Sequence, residues 1–153
     1  MDECVVIKGK RILLIISGGI AAYKGPDLVR RLRERGASVR CVLTAGGAKF
    51  VSPLALSTVS GDKVYQELFS LIDEREIGHI ELSRDADILV VAPASANILA
   101  KMVQGQADDI ATTALLATDK PIVVAPAMNI HMWKHAATQA NVAALRARGV
   151  TTL

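Results

Sequence analysis

The chain has 153 residues, 51% hydrophobic and 22% charged, which supplies a buried core for one compact α/β domain and excludes wholesale disorder. Lys plus Arg number 18 against 15 Asp plus Glu, a net charge of +3 that is not gathered into a basic tract. With aromatics at only 3%, it gives neither a nucleic-acid footprint nor a stacking platform for single strands. Two cysteines, Cys4 and Cys41, exclude a disulfide framework and a four-ligand zinc site, so a reduced cytoplasmic setting is expected.

In chain order, residues 1–9 read as a flexible tail. Arg11–Ile16 (RILLII) follows as a strand buried on both faces, since it does not alternate with polar residues. This apolar run stops at Ser17-Gly18-Gly19 and is preceded by Asp2 and Glu3, so it is neither a signal peptide nor a membrane span. Next comes a helical pattern with Leu28, Val29 and Leu32 on one face and Arg30, Arg31, Arg33 and Arg35 toward water. Pro26 implies a kink or a late start, and Gly36 stands at a left-handed C-cap. Ser38–Leu43 is the second strand, and residues 50–60 read as one or two short helices broken at Pro53. Residues 73–78 form a polar loop, and 87–92 the third strand. A helix carrying Ile98, Leu99, Met102 and Val103 closes at Gly105, and Asp108 or Asp109 caps another that runs to Thr118. Residues 121–125 are a fourth strand, 136–148 a last helix stopped by Gly149, and 150–153 the opening of a fifth strand.

Repeated strand, crossover, strand units imply a three-layer, doubly wound α/β fold with a mostly parallel sheet in a single domain. In such sheets ligands sit beyond the carboxyl ends of the strands, near the switch point. Three turns come into view there. Ser17-Gly18-Gly19-Ile20-Ala21 can turn its amides to an anion, although a glycine turn needed only for packing explains the same residues. It matches neither the dinucleotide fingerprint nor a Walker A. Thr44 can add a hydroxyl to the same anion. In Pro93-Ala94-Ser95-Ala96-Asn97, a helix cap by Ser95 or Asn97 competes with contacts to a cofactor's polar edge. Pro126-Ala127-Met128-Asn129-Ile130-His131-Met132-Trp133 sets soft apolar walls around one amide, a pocket for a polar group in a dry place. The other reading is a helix start with Trp133 as core filler. His131 and His135 have the spacing of paired metal ligands, but the intervening Glu and a third ligand are missing, so no metal site is expected. His79, between Gly78 and Ile80-Glu81-Leu82, is a surface or cap residue unless it faces the ligand edge, where it would handle protons near neutral pH. Cys41, inside a strand pattern, is expected to be inert.

Taken in order, Ser17-Gly18-Gly19-Ile20-Ala21-Ala22-Tyr23-Lys24, His79-Ile80-Glu81-Leu82, Pro93-Ala94-Ser95-Ala96-Asn97 and the segment from Pro126 to Trp133 resemble the homo-oligomeric flavin-containing cysteine decarboxylases, from about Lys10 to the end. The resemblance implies a Rossmann-like flavoprotein fold binding FMN through Ser17, Gly18, Gly19, Ile20, Ala21, Thr44, Ser95, Ala96 and Asn97, with Phe50 near the flavin. His79 matches an active-site histidine and Asn129 the asparagine that grips the substrate carboxylate, with Ala127 and Met128 beside it. Ile98 stands where many relatives have Thr, which removes one polar contact.

The implied substrate is 4'-phosphopantothenoylcysteine. Its thiol-bearing carbon is oxidised to a thioaldehyde, CO2 leaves as from a β-keto acid, and reduced FMN returns the electrons to give 4'-phosphopantetheine. Relatives that complete the reduction carry a cysteine on a flap downstream of the Trp133 segment. That flap and any synthetase domain are expected beyond residue 153. Two rival readings are a peptidyl-cysteine decarboxylase that stops at the enethiol and a regulatory flavin-binding subunit without turnover; a prenyl-FMN synthase shares the fold but not the Pro126 to Trp133 segment. The resemblance also implies homotrimers, often gathered into dodecamers, with FMN at the subunit boundary.

Overall fold

A computed structural model describes residues 7–67, 82 and 84–153. Among them, β1 (Arg11–Ile16), β2 (Ser38–Leu43), β3 (Val64–Tyr65), β4 (Ile88–Ala94), β5 (Ile122–Pro126) and β6 (Thr151–Thr152) form one sheet in the order β3-β2-β1-β4-β5-β6, every pair parallel. The helices are α1 (Gly25–Glu34), α2 (Pro53–Ser60), α3 (Ala96–Gln104), α4 (Ile110–Ala117), α5 (Ile130–Lys134) and α6 (Ala136–Ala147). The chain leaves β1 toward β2 and returns to β4 on β1's other side, so the switch point lies between β1 and β4.

The unbroken apolar strands follow from a core on each face. Ile12, Leu14 and Ile16 of β1 pack with Val39, Cys41 and Leu43 of β2 beneath Val29 of α1 and Leu56 of α2. Leu13 and Ile15 point the other way, joining Leu89, Val91 and Val124 beneath Leu99, Ala114, Val142 and Leu145 from α3, α4 and α6. Period-2 side-chain alternation makes one strand serve both cores, and so no polar position remains in its middle.

Local signals mostly act as expected. Pro26 stands in the first turn of α1, after a 3-10 turn over Ile20–Lys24, which is the late start. Gly36, Gly105 and Gly149 take positive φ just past their helices. Asp109 caps α4 and closes a reciprocal capping box with Thr112. On the outer face of α1, Arg30 and Arg31 pair with Asp27, and Arg30 with Glu34. Solvent screens such exposed pairs, so they add little to stability and serve mainly to keep this face of α1 wetted.

Five details differ from the sequence reading. Pro53 opens α2 rather than breaking it, because Ser52 caps the helix by accepting the Ala55 amide at 3.0 Å. Arg33 is not merely solvated: it donates to the Val59 carbonyl at 2.6 Å and so ties α1 to the end of α2. The sheet has a further strand, β3, of only two residues. Ile7 and Gly9 are anchored rather than frayed, with Ile7 against the core and the Gly9 amide donating to Gly36 O at 2.9 Å. Pro93 and Ala94, read as loop, are strand: the register shifts between Val91 and Ala94, after which Ala94 pairs with Pro126. The polar loop expected over 73–78 lies outside the described residues.

Two titratable groups of the frame make predictions. Asp87 accepts from the Arg11 guanidinium at 3.2 and 3.3 Å and from the Arg11 amide at 2.8 Å, and these bonds hold its pKa down at about 2. A depressed carboxylate stabilises the fold above its unfolded pKa, and that contribution is lost as pH falls from about 4 toward 2. The urea midpoint of Asp87→Asn should therefore lie below that of wild type at pH 6 and converge on it near pH 2. Cys41 is fully buried, and burial, aided by Asp62, pushes its thiol up to about 12. Mass spectrometry after maleimide treatment at pH 7.5 should find Cys41 unmodified in the native protein and modified in urea.

Candidate functional site

The residues that follow β1, β2, β4 and β5 all lie at the carboxyl edge of the sheet, laced together by short bonds. The Thr44 amide donates to Ile16 O at 3.1 Å, the Ser17 amide to Pro93 O at 3.3 Å and the Ala127 amide to Ala94 O at 3.0 Å. Ser17 Oγ donates to Pro93 O at 2.6 Å and accepts the Ser95 amide at 3.0 Å. The turns after β1 and β4 thus become one unit at the switch point.

Within that unit the turn after β1 keeps its donors free. Among the described residues, the amides of Gly18, Gly19, Ile20 and Ala21 meet no acceptor. Gly19 has φ 136 and ψ 154, and a Cβ built on it would have nothing within 4 Å. A non-glycine residue there would be strained, and its side chain would project into open space. Across the turn, a Cβ on Gly46 would lie 3.2 Å from Gly18 Cα, so the two backbones touch where neither has a side chain. Gly46 and Gly47 were missed in the sequence reading. Their signal was available, since Thr44-Ala45-Gly46-Gly47 at the end of β2 mirrors Ser17-Gly18-Gly19 at the end of β1.

The predicted side chains divide. Ser17 is 2% exposed and its hydroxyl is engaged inside the protein. Thr44 Oγ1 accepts the Gly47 amide at 3.1 Å and so shapes its own turn. Ser95 caps α3 through the Ile98 amide at 3.2 Å, while Ala96 and Asn97 occupy the first turn of that helix, whose leading amides are open donors. Phe50 and Ile20 are exposed on the same edge. His79 lies outside the described residues.

After β5, Asn129 is the cap of α5: its Oδ1 accepts the Met132 amide at 2.9 Å. Since only the carbonyl oxygen of an amide can accept, the cap fixes the side chain's sense and leaves the NH2 group a double donor without an acceptor among the described residues. A cavity of about 300 Å³ opens beside it, lined by Pro126, Ala127, Met128, Ile130, Trp133 and Leu153. Asn129 itself is exposed rather than enclosed by that lining, which corrects the expectation of a dry amide within this one chain. Trp133 does both jobs assigned to it, packing on the core while walling the cavity. A second cavity of about 350 Å³ lies on the other side of Pro126 and Ala127, against Ala21, Gly25, Leu28, Ala92 and Pro93. His135 Nδ1 accepts the Ala137 amide at 3.0 Å and so serves as the cap of α6.

A family model described as Flavoprotein matches residues 4–153. The chain belongs to the Flavoprotein family. Over 144 residues this flavoprotein is 49% identical to the coenzyme A biosynthesis bifunctional protein CoaBC of Vibrio vulnificus strain YJ016. That match takes in 94% of the chain and 36% of the relative, so the chain spans about a third of the length of that relative. Among solved structures, it overlays a PPC decarboxylase cysteine-to-serine mutant complexed with pantothenoylaminoethenethiol with a TM-score of 0.80 and 38% identity. The overlay covers 94% of this flavoprotein and 81% of that chain. The FMN-dependent cysteine decarboxylase SpaF overlays with a TM-score of 0.87 and 33% identity, covering 96% and 85%.

Proposed function

We propose that this flavoprotein binds FMN and removes the cysteine carboxylate of 4'-phosphopantothenoylcysteine, giving 4'-phosphopantetheine for coenzyme A biosynthesis. The observation that carries the reading is the run of four amides, Gly18 through Ala21, without acceptors among the described residues and locked beside the first turn of α3 at the switch point. Such a cradle suits the phosphate of a flavin mononucleotide, and the open space in front of Gly19 leaves room for it. When bound, FMN supplies the two-electron chemistry that lets a cysteine carboxylate leave as CO2.

The chain's own residues supply the rest. Gly18, Gly19, Ile20 and Ala21 would hold the phosphate, with the amides of Ala96 and Asn97 and the turns that Thr44 and Ser95 shape; Phe50, exposed on the same edge, would face the flavin. The Asn129 NH2 group grips the substrate carboxylate, and Ala127 and Met128 form the apolar wall beside it. His79 carries the proton. The exposed apolar side chains of Ile20, Tyr23 and Leu54 (77%, 62% and 74%) suit burial against further copies in a homotrimer, and of trimers in a dodecamer. The enzyme is proposed to be cytoplasmic, with residues 1–153 as its decarboxylase domain; among the described residues no helix is long and apolar enough to cross a membrane.

The test is to supply purified, FMN-loaded protein with phosphopantothenoylcysteine and, separately, a peptide ending in cysteine. CO2 release from the first alone supports the reading, and the mass of the product tells phosphopantetheine from the enethiol. Release from the peptide alone would favour a peptidyl-cysteine decarboxylase instead.

A further inference from the structure

Ser17 heads the cradle, yet its side chain has nothing to offer an anion. It is buried, its single hydroxyl proton goes to the Pro93 carbonyl at 2.6 Å, and its oxygen accepts the Ser95 amide at 3.0 Å. Its own amide reaches the same Pro93 carbonyl at 3.3 Å. All three bonds run from the end of β1 to the end of β4, across the switch point. Ser95 passes the tie onward, since its Oγ accepts the Ile98 amide in the first turn of α3. On the opposite flank, Gly18 rests on the backbone of Gly46. The turn is thus seated from one side by glycine contact and fastened from the other by a hydroxyl.

We propose that Ser17 is a positioning residue: without touching the cofactor, it sets the placement of the Gly18 to Ala21 amides relative to those of Ala96 and Asn97, so that both groups converge on one phosphate. The proposal rests on the FMN reading above. Removing the hydroxyl leaves the half-buried Ser95 amide without its acceptor, and the two turns lose their common register.

Riboflavin tests this, because it carries the ring and ribityl chain of FMN without the phosphate. Dissociation constants for both are read by quenching of flavin fluorescence in wild type, Ser17→Ala, Ser17→Thr and Val142→Ala, with thermal melting of each flavin-free protein. Val142 is buried on α6, in the core on the other face of the sheet from α1, and serves as a control for lost stability. Wild type should prefer FMN. Ser17→Ala should cut that preference on the order of tenfold while leaving riboflavin affinity nearly unchanged. Ser17→Thr, which keeps the hydroxyl, should restore most of it. Val142→Ala should melt earlier with its preference intact. A wild-type preference in Ser17→Ala overturns the proposal, whatever its melting temperature. Should that variant not fold, Ser17→Cys, whose thiol is a weak donor and acceptor, carries the same expectation and the same refutation. Absence of any preference in wild type overturns the cradle reading itself, and the proposal with it.

Discussion

Asn129→Asp should abolish most decarboxylation while leaving the fold intact. Asp caps a helix as well as Asn does, so the bond from the Met132 amide survives the change and α5 keeps its start. What disappears is the other half of the side chain. The NH2 group that would donate to the substrate carboxylate becomes a second carboxylate oxygen, and attraction turns into repulsion between like charges. Losing a charge-assisted hydrogen bond and adding that repulsion should lower kcat/KM for phosphopantothenoylcysteine on the order of 100-fold or more. The measurement is CO2 release against substrate concentration, with thermal melting and flavin affinity as controls that should stay near wild type. Turnover close to wild type would remove Asn129 from carboxylate binding and leave it a cap alone.

That double duty explains why the site was harder to read than the fold. β1 and β4 announced themselves because burial on two faces leaves no polar position, and the glycines after α1, α3 and α6 marked ends that only positive φ allows. β3 gave no such sign: two residues, Val64 and Tyr65, are too few to show a period, and only pairing with Cys41 and Val42 makes them a strand. Pro93 looked like a terminator, but proline lacks only the donor, and the shifted register after Val91 lets the strand run on through Ala94.

At the site, residue type was legible and orientation was not. Ser17, Ser95 and Asn129 are each a hydroxyl or amide at a strand end, which suits a cap and a ligand contact equally. Ser17 turns inward to Pro93, Ser95 bonds within α3, and Asn129 splits its two ends between a cap and solvent. Those outcomes depend on which strand lies next to which, and adjacency across 76 residues between Ser17 and Pro93 leaves no trace in local pattern. The glycine pair Gly46 and Gly47 shows the same limit: its meaning lies in its contact with Gly18.

Gly19→Ala should damage flavin binding severely with a single methyl. At φ 136 and ψ 154 the residue occupies a region that side chains essentially exclude, so alanine strains the turn by about 1–3 kcal/mol or flips it. If the backbone yields, the Gly19 and Ile20 amides rotate away from their common target. If it holds, the new methyl enters the open space proposed for the phosphate, where nothing else lies within 4 Å. Either route removes the cradle, and the FMN dissociation constant should rise on the order of 100-fold. The flavin-free protein, whose two cores lie beneath the turn and are untouched, should lose no more than about 3 kcal/mol in a urea titration. Riboflavin affinity should fall less than FMN affinity, which separates a lost phosphate site from a lost pocket. FMN binding at wild-type strength in Gly19→Ala would mean that the phosphate is held elsewhere, and the turn after β1 would then be no more than a tight connection between β1 and α1.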